Sequence, residues 1–357
     1  MNDVLPVRTV YGDPTSSDDT NIGLNPLTSQ QPIWYAGPDV VASWVLTGRM
    51  PNVVRAIRIE SSGQQRGMRS VTLGGRSIDP YSDNLFRVIV EERKRASVSE
   101  SLEYFLKILA NSGSYGIYAQ VNRQQVGKND AERLQLFSGE MRRRTSPVVV
   151  TEPPGPWYFP PVSALTTAGG RLLLAMLERR VLDAGGQFLA GDTDSLVIVA
   201  NERGGLVPCV GGAHRLADGR PAIRALSRAD VRRIVNEFDR LNPYDRSIVA
   251  DSLLKIERIN SDANGRPRQL YGYGISSKRY CLFTRRRSVI RVVKPSEHGL
   301  GLYYRPKEGR DPSSELPLWI AEGWYWLVAR ALGHDRRQPG WFRTPVMRRI
   351  TSARRTS

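Results

Sequence analysis

Two carboxylates one residue apart, Asp192 and Asp194, stand in the stretch Gly191-Asp192-Thr193-Asp194-Ser195. Carboxylate oxygens held close together on a tight turn suit a hard divalent cation such as magnesium. In a regular strand, residues i and i+2 point to one face, so this spacing expects both carboxylates on the same side. Asp and Thr also favour ordinary surface turns, and a bare Asp-Thr-Asp reads that way. The flanks argue for more. Phe188-Leu189 precedes the turn and Leu196-Val197-Ile198-Val199 follows it, so an acidic tip lies between two apolar strands.

A second group is Lys107, Asn111 and Tyr115, in Lys107-Ile108-Leu109-Ala110-Asn111-Ser112-Gly113-Ser114-Tyr115-Gly116. At i, i+4 and i+8 they would share one helix face. Such a face offers a point charge for phosphate, an amide and an aromatic ring. Upstream, Glu91-Glu92-Arg93-Lys94-Arg95 adds cations on a neighbouring helix, and two converging basic faces would grip a triphosphate; two solvated amphipathic helices are the plainer alternative. A third group is Ser277-Lys278-Arg279-Tyr280-Cys281-Leu282-Phe283. At a strand start, Lys278 and Tyr280 would share a face with Arg279 opposite, and lysine beside an aromatic suits a nucleic-acid backbone.

These groups need elements to position them. Residues 85–110 carry apolar residues at helical spacing and predict two helices broken near Ala96–Ser99. Residues 163–184 predict one helix, with Leu172, Leu173, Ala175, Met176, Leu177 and Val181 as its apolar face and Gly185-Gly186 as its stop. The carboxylate turn then joins two strands as a hairpin. Residues 228–242 predict a helix capped by Ser227. Strands are expected over 251–260, 268–275 and 279–284, a tryptophan-rich helix over 319–332, a loop over 11–32 and a proline-rich connector over 144–162. The sum is an α+β chain with an antiparallel element at its chemical centre.

The chain has 357 residues, 40% hydrophobic and 24% charged, enough for two or three packed units. No apolar run nears the roughly 18–20 residues of a membrane span, and the opening MNDVLPVRTVYGDP is unlike a signal or transit peptide. Two cysteines, Cys209 and Cys281, make neither a disulfide framework nor zinc spacing, so a reducing cytoplasm is expected. The net charge is +17 and uneven: residues 1–60 hold four arginines against six acids, whereas residues 271–357 hold eighteen Lys or Arg against six acids. A polyanion partner on the basic side follows, although arginine-rich coding alone would also raise the charge.

Taken in order, the three groups resemble the motifs of the family B DNA polymerases. That family's second motif, K-x-x-x-N-S-x-Y-G, is matched by Lys107, Asn111, Ser112, Tyr115 and Gly116, with one extra residue between Asn111 and Tyr115. Its third, Y-G-D-T-D-S, is matched from Gly191 to Ser195, with Ala190 for the Tyr. Its K-K-R-Y is matched by Lys278, Arg279 and Tyr280, with Ser277 for the first Lys. Its fingers E-R-K segment is matched at Arg93, with Ser97 for the second Lys, and the likeness runs through Thr166–Arg171 and His298–Gly301 to Trp319 and Trp324.

The resemblance implies an antiparallel palm sheet with a catalytic hairpin, a helical fingers insertion and a partial helical thumb-like segment. The expected divisions are 1–80 before the fingers, 81–125 fingers, 126–290 palm and 291–357 thumb-side. It implies that Asp194 and Asp192 hold two magnesium ions, that Arg93, Lys107 and Asn111 hold a deoxynucleoside triphosphate, that Tyr115 packs under the new base pair, and that Lys278, Arg279 and Tyr280 contact primer-template DNA. The expected setting is cytoplasmic and nucleoid-associated, with no membrane partner.

The family's first motif, D-x-x-S-L-Y-P, is absent, and with it the other aspartate that bridges the metals. The chain is therefore expected to be a polymerase fragment, inactive alone, that needs an upstream fragment in cis or in trans. The alternative is a catalytically silent DNA-binding module. An unrelated metal enzyme with an Asp-Thr-Asp turn would leave the other two motifs unexplained.

Overall fold

The computed structural model describes residues 8–10, 20–22, 34–60, 62–95, 99–122, 124–125, 127, 129, 132–137, 143–148, 150–151, 153–250, 252–276, 278–287, 289–296, 303–304, 318–343 and 347–348. They form a mixed α+β chain of small, mostly antiparallel sheets and, among these residues, six α-helices. No helix there is long and apolar enough to cross a membrane. The chain divides into two compact units, Met1–Arg179 with Arg240–Asp251, and Arg180–Asp239 with Ser252–Ser357. The expected segment 81–125 falls in the first, 291–357 in the second, and 126–290 contributes to both.

In the first unit, β1 (Arg8–Val10) pairs antiparallel with β2 (Thr20–Ile22). β2 interrupts the stretch expected as loop, whose remainder lies outside the described residues. Helix α1 (Gly37–Thr47) is tied by Asp39 to Arg171 of α4 (Pro160–Asp183) through two 2.7 Å bonds. Strands β3 (Val71–Leu73) and β4 (Arg76–Ile78) form a hairpin whose two loop residues, Gly74 and Gly75, both have positive φ. That backbone twist suits a two-residue hairpin and favours glycine. Helix α2 (Leu85–Glu92) is capped by Asn84, and α3 (Glu100–Asn111) by Ser99. Each cap oxygen accepts an otherwise unpaired N–H of the first turn. The expected break between two helices thus stands, with residues 96–98 outside the description. Ile78, Val88, Ile89 and Leu106 are buried here.

β5 (Gln124–Gln125) pairs with β8 (Val150–Thr151), and β6 (Glu132–Phe137) with β7 (Arg143–Val148). The connector expected over 144–162 is corrected: its first residues are strand, and Pro160-Pro161 open α4. Proline is tolerated at a helix start, where its missing N–H has no partner to lose.

In the second unit, α4 ends as expected. Gly185 has φ 73°, and the Gly186 N–H donates to Val181 O at 2.9 Å, closing the helix end. β9 (Phe188–Asp192) and β10 (Ser195–Ile198) then form the carboxylate hairpin. β11 (Ala200–Asn201), β12 (Arg203–Pro208), β13 (His214–Arg215) and β14 (Pro221–Ser227) make a small sheet around β14. Ser227 caps α5 (Arg228–Glu237), accepting from the Asp230 N–H at 3.0 Å.

The strand expected over 251–260 does not form; a 3-10 turn, Arg258–Asn260, occupies its end. Asp262 Oδ1 accepts from the N–H groups of Asn264 and Arg266, and the Asn260 side chain donates to Glu257 O. These local side-chain bonds hold a loop where a ladder would be needed. β15 (Tyr271–Ser276), β16 (Arg279–Arg286) and β17 (Val289–Pro295) form an antiparallel sheet in that order. β18 (Tyr303–Tyr304) pairs with β19 (Met347–Arg348). Helix α6 (Leu318–Ala331) packs on the three-stranded sheet, its Ile320, Trp324, Val328 and Ala329 against Cys281, Phe283 and Ile290.

Residues 280–283 of β16 are buried in succession, because the strand is covered on both faces. Alternation puts Cys281 and Phe283 toward α6, leaving Tyr280 and Leu282 for the opposite face. Burial of the Cys281 thiol without a charged neighbour pushes its pKa up to about 12, so it is a packing residue and not a nucleophile.

Candidate functional site

The acidic hairpin lies on that opposite face. Leu189 of β9 sits over Gly272 and Gly274 of β15, which pair with Leu282 and Tyr280. A Cβ on Gly272 would overlap the Leu189 side chain, and one on Gly274 would lie 3.4 Å from it. The two glycines therefore clear the space in which the hairpin rests.

At the hairpin tip, Asp192 pairs with Ser195 across the ladder, leaving Thr193 and Asp194 as a two-residue loop. This corrects the strand-face expectation: Asp194 is a turn residue, and the i, i+2 alternation does not reach it. The Asp194 N–H donates to Asp192 O at 2.5 Å, which folds the two residues together. Thr193 has φ 45°. A β-branched residue is unfavourable there, and strain of this kind is most often kept at functional sites. Asp194 is exposed, and its carboxylate has no hydrogen bond or ion pair among the described residues.

Asp192 faces a cation of the chain itself. Lys278 Nζ lies 3.5 Å from Asp192 Oδ1. Lys278 has φ 60° and precedes β16, so it is part of a turn and not of the expected strand. Left-handed backbone takes it out of the alternation that would have aligned it with Tyr280. The turn is braced from α6: Trp324 Nε1 donates to Ser296 O at 2.9 Å, and the Ser296 hydroxyl donates to Lys278 O. Arg279 is exposed, while Tyr280 is 3% exposed beneath Lys294, whose Nζ lies 5.9 Å from its ring. Ser277 and His298–Gly301 lie outside the described residues.

The first unit holds the other candidates. Lys107 and Asn111 are exposed on α3. Arg93 follows α2, with its Nη2 3.9 Å from Glu103, four residues before Lys107. Glu103, Lys107 and Asn111 form one row along α3, so Arg93 lies at the head of that row. Its Nε–H is buried without an acceptor. Tyr115 lies past the end of α3. Ser112–Gly116 form a π-helical turn, with the Ile117 N–H donating to Ser112 O. The turn absorbs the extra residue between Asn111 and Tyr115, and Tyr115 is 42% exposed. Ser97 lies outside the described residues.

Pattern reading took Glu91–Arg95 as a source of free cations and missed what Glu91 and Glu92 do. Both are buried, at 2% and 3% exposure. Arg87 Nε donates to Glu91 at 2.7 Å, the Asp245 N–H at 2.9 Å and Arg76 at 3.3 Å, and Arg95 Nε lies 2.8 Å from Glu92. Burial opposes ionisation of Glu91, but the bonds from Arg87, Asp245 and Arg76 outweigh it and hold its carboxyl below the ordinary glutamate range. Two adjacent acids among spaced arginines were the clue available in the sequence.

Among the described residues, no three His, Cys, Asp or Glu side chains gather around one point. A magnesium site needs fewer, since the ion commonly takes one or two carboxylates and completes its shell with water and substrate phosphate. Asp192 and Asp194 fit that donor set. Comparison of the chain with protein-family models, characterised proteins and solved structures finds no match.

Proposed function

We propose that this chain is a nucleotidyl-transferring portion of a family B-like DNA polymerase, binding a deoxynucleoside triphosphate and primer-template DNA. What carries the reading is the strained Thr193 turn, which presents an exposed, unpaired Asp194 beside Asp192, on a chain whose two other polymerase-like motifs stand before and after it in the family's order. Asp192 and Asp194 would hold magnesium, which when bound would polarise the phosphoryl group and favour the hydroxylate form of the attacking oxygen. Lys107, Asn111 and Arg93 take the triphosphate oxygens and offset charge that grows on the leaving group. Tyr115 offers its ring to the incoming base. Lys278 and Arg279 hold the primer-template backbone, and Tyr280, being buried, supports that turn from beneath. The primer 3′-hydroxyl oxygen bonds to the α-phosphorus, the bond to the pyrophosphate oxygen breaks, and the hydroxyl proton leaves to water.

The palm, fingers and thumb roles belong to the same proposal. Since D-x-x-S-L-Y-P is absent from the sequence, turnover by the isolated chain is expected to be slow or nil until a chain carrying that aspartate is added. A second reading, a silent DNA-binding module, is favoured by the Lys278–Asp192 ion pair, which already occupies one carboxylate. Primer extension separates the two. The chain is tested on primed DNA with four deoxynucleotides and magnesium, alone and with a D-x-x-S-L-Y-P fragment, beside Asp194→Ala. Extension lost in that variant supports the enzyme. Salt-sensitive binding without extension in either arm supports the module, and no binding at all overturns both.

A further inference from the structure

The outward side of α6 carries a feature that the acidic hairpin does not use. The segment after the helix folds back along it. Trp341 packs on Gly323, where an added Cβ would lie 3.2 Å from its ring, and donates from Nε1 to Glu322 at 2.5 Å. Phe342 stacks on Trp341 with centroids 5.0 Å apart and meets Trp326 at 4.9 Å. Phe342 nevertheless remains 41% exposed. Arginines stand on neighbouring aromatic rings and beside it in the sequence. Arg330 lies over Trp326 at 5.4 Å and Arg336 over Tyr325 at 5.2 Å. Arg337 and Arg343 are exposed, with no ion pair or hydrogen bond among the described residues.

A packed core does not require this arrangement. The buried side of α6 already has Ile320, Trp324 and Val328, whereas Phe342 leaves ring surface in water next to unneutralised guanidinium groups. An open aromatic ring with flanking cations matches the two halves of an unpaired nucleotide: the base stacks and the phosphate pairs. Duplex DNA offers phosphates but keeps its bases in their own stack.

We propose that this patch binds single-stranded DNA, with a base on Phe342 and backbone phosphates on Arg337 and Arg343. The inference rests on the reading above for its choice of nucleic acid as the polyanion, and charge complementarity supports that choice. It places the contact at a site separate from Asp192 and Asp194.

The test uses the full chain and a fluorescein-labelled oligothymidylate, followed by anisotropy and by quenching of tryptophan fluorescence. Phe342→Leu keeps an apolar side chain but removes the ring. It is expected to weaken binding about tenfold, with reduced quenching, an unchanged salt slope and an unchanged melting temperature. Arg337→Gln with Arg343→Gln is expected to lower the salt slope by about 1.4, the value for two lost single-strand phosphate contacts. Wild-type affinity in Phe342→Leu overturns the proposal even if primer extension succeeds. Phe342-dependent binding in a chain that never extends a primer upholds it while sinking the enzyme reading. Equal Phe342 dependence with blunt duplex, or with anionic lipid vesicles in place of DNA, also overturns it.

Discussion

Two pairs of neighbouring carboxylates, Glu91 with Glu92 and Asp192 with Asp194, stand in opposite circumstances. Glu91 and Glu92 are buried and ringed by Arg76, Arg87 and Arg95, with the Asp245 N–H completing the set. Asp192 and Asp194 sit at a strained turn, and one lysine at 3.5 Å is the cation recorded beside Asp192. Changing a buried carboxylate disturbs several bonds at once, whereas an exposed carboxylate exchanges a partner for solvent at little cost. The same chemical type therefore builds the fold in one unit and remains available for a ligand in the other.

The largest expected effect breaks the first pair. Glu91→Gln should lower unfolding stability by about 1–3 kcal/mol, since it weakens the bonds from Arg87, Arg76 and the Asp245 N–H. Asp194→Ala should change it by less than about 0.5 kcal/mol. Denaturant titration of both variants measures the contrast, and similar losses would erase it.

Acid should sharpen the comparison. Glu91 has a folded pKa below its unfolded value of about 4.3, so its contribution is complete above that value and is lost as pH falls through the lower folded one. The acid limb of the stability curve should flatten in Glu91→Gln. Melting temperatures between neutral and strongly acidic buffer would show it.

Gly272→Val tests how the exposed pair is held. Its side chain must displace Leu189, at a cost of about 1–3 kcal/mol, and should shift the hairpin under Asp192. Leu189→Ala in the same chain should recover part of the loss, and a double-mutant cycle would read the coupling. Additive losses would mean that the hairpin is positioned by something else.

The smallest effect is at Lys278. Its pair with Asp192 is partly exposed on both sides, so Lys278→Ala should alter stability by no more than about 1 kcal/mol. It should, however, tighten the binding of a divalent probe such as manganese, because an attached competitor is gone. Manganese relaxation of solvent protons would report the change. Weaker binding would assign Lys278 a supporting role at the carboxylates.

Local chemistry was legible in advance. The cap at Ser227, the break near Ser99, the Gly185-Gly186 stop, the hairpin around the acidic turn and the tryptophan-rich helix all follow from short-range rules, which act over a few residues. Arrangements that depend on partners far along the chain were not. Nothing near Glu91 foretells Asp245, and nothing near Asp192 foretells Lys278. The strand expected over 251–260 failed because Asp262 and Asn260 satisfy the backbone locally. The extra residue between Asn111 and Tyr115 was legible, but the π turn that takes it up was not.

The sequence alone determined the residue types at the acidic turn, the order of the polymerase-like motifs, the basic bias toward the C-terminal part and the places of helices α2 to α6. Those depend on composition, spacing and bonds between near neighbours. Tertiary structure decided which charges are neutralised, which aromatics reach solvent and where the hairpin rests. The same Glu, Arg, Trp or Gly does different work according to what packs against it. The partners concerned, Leu189 on Gly272 and Trp341 on Gly323, meet only when distant segments fold together.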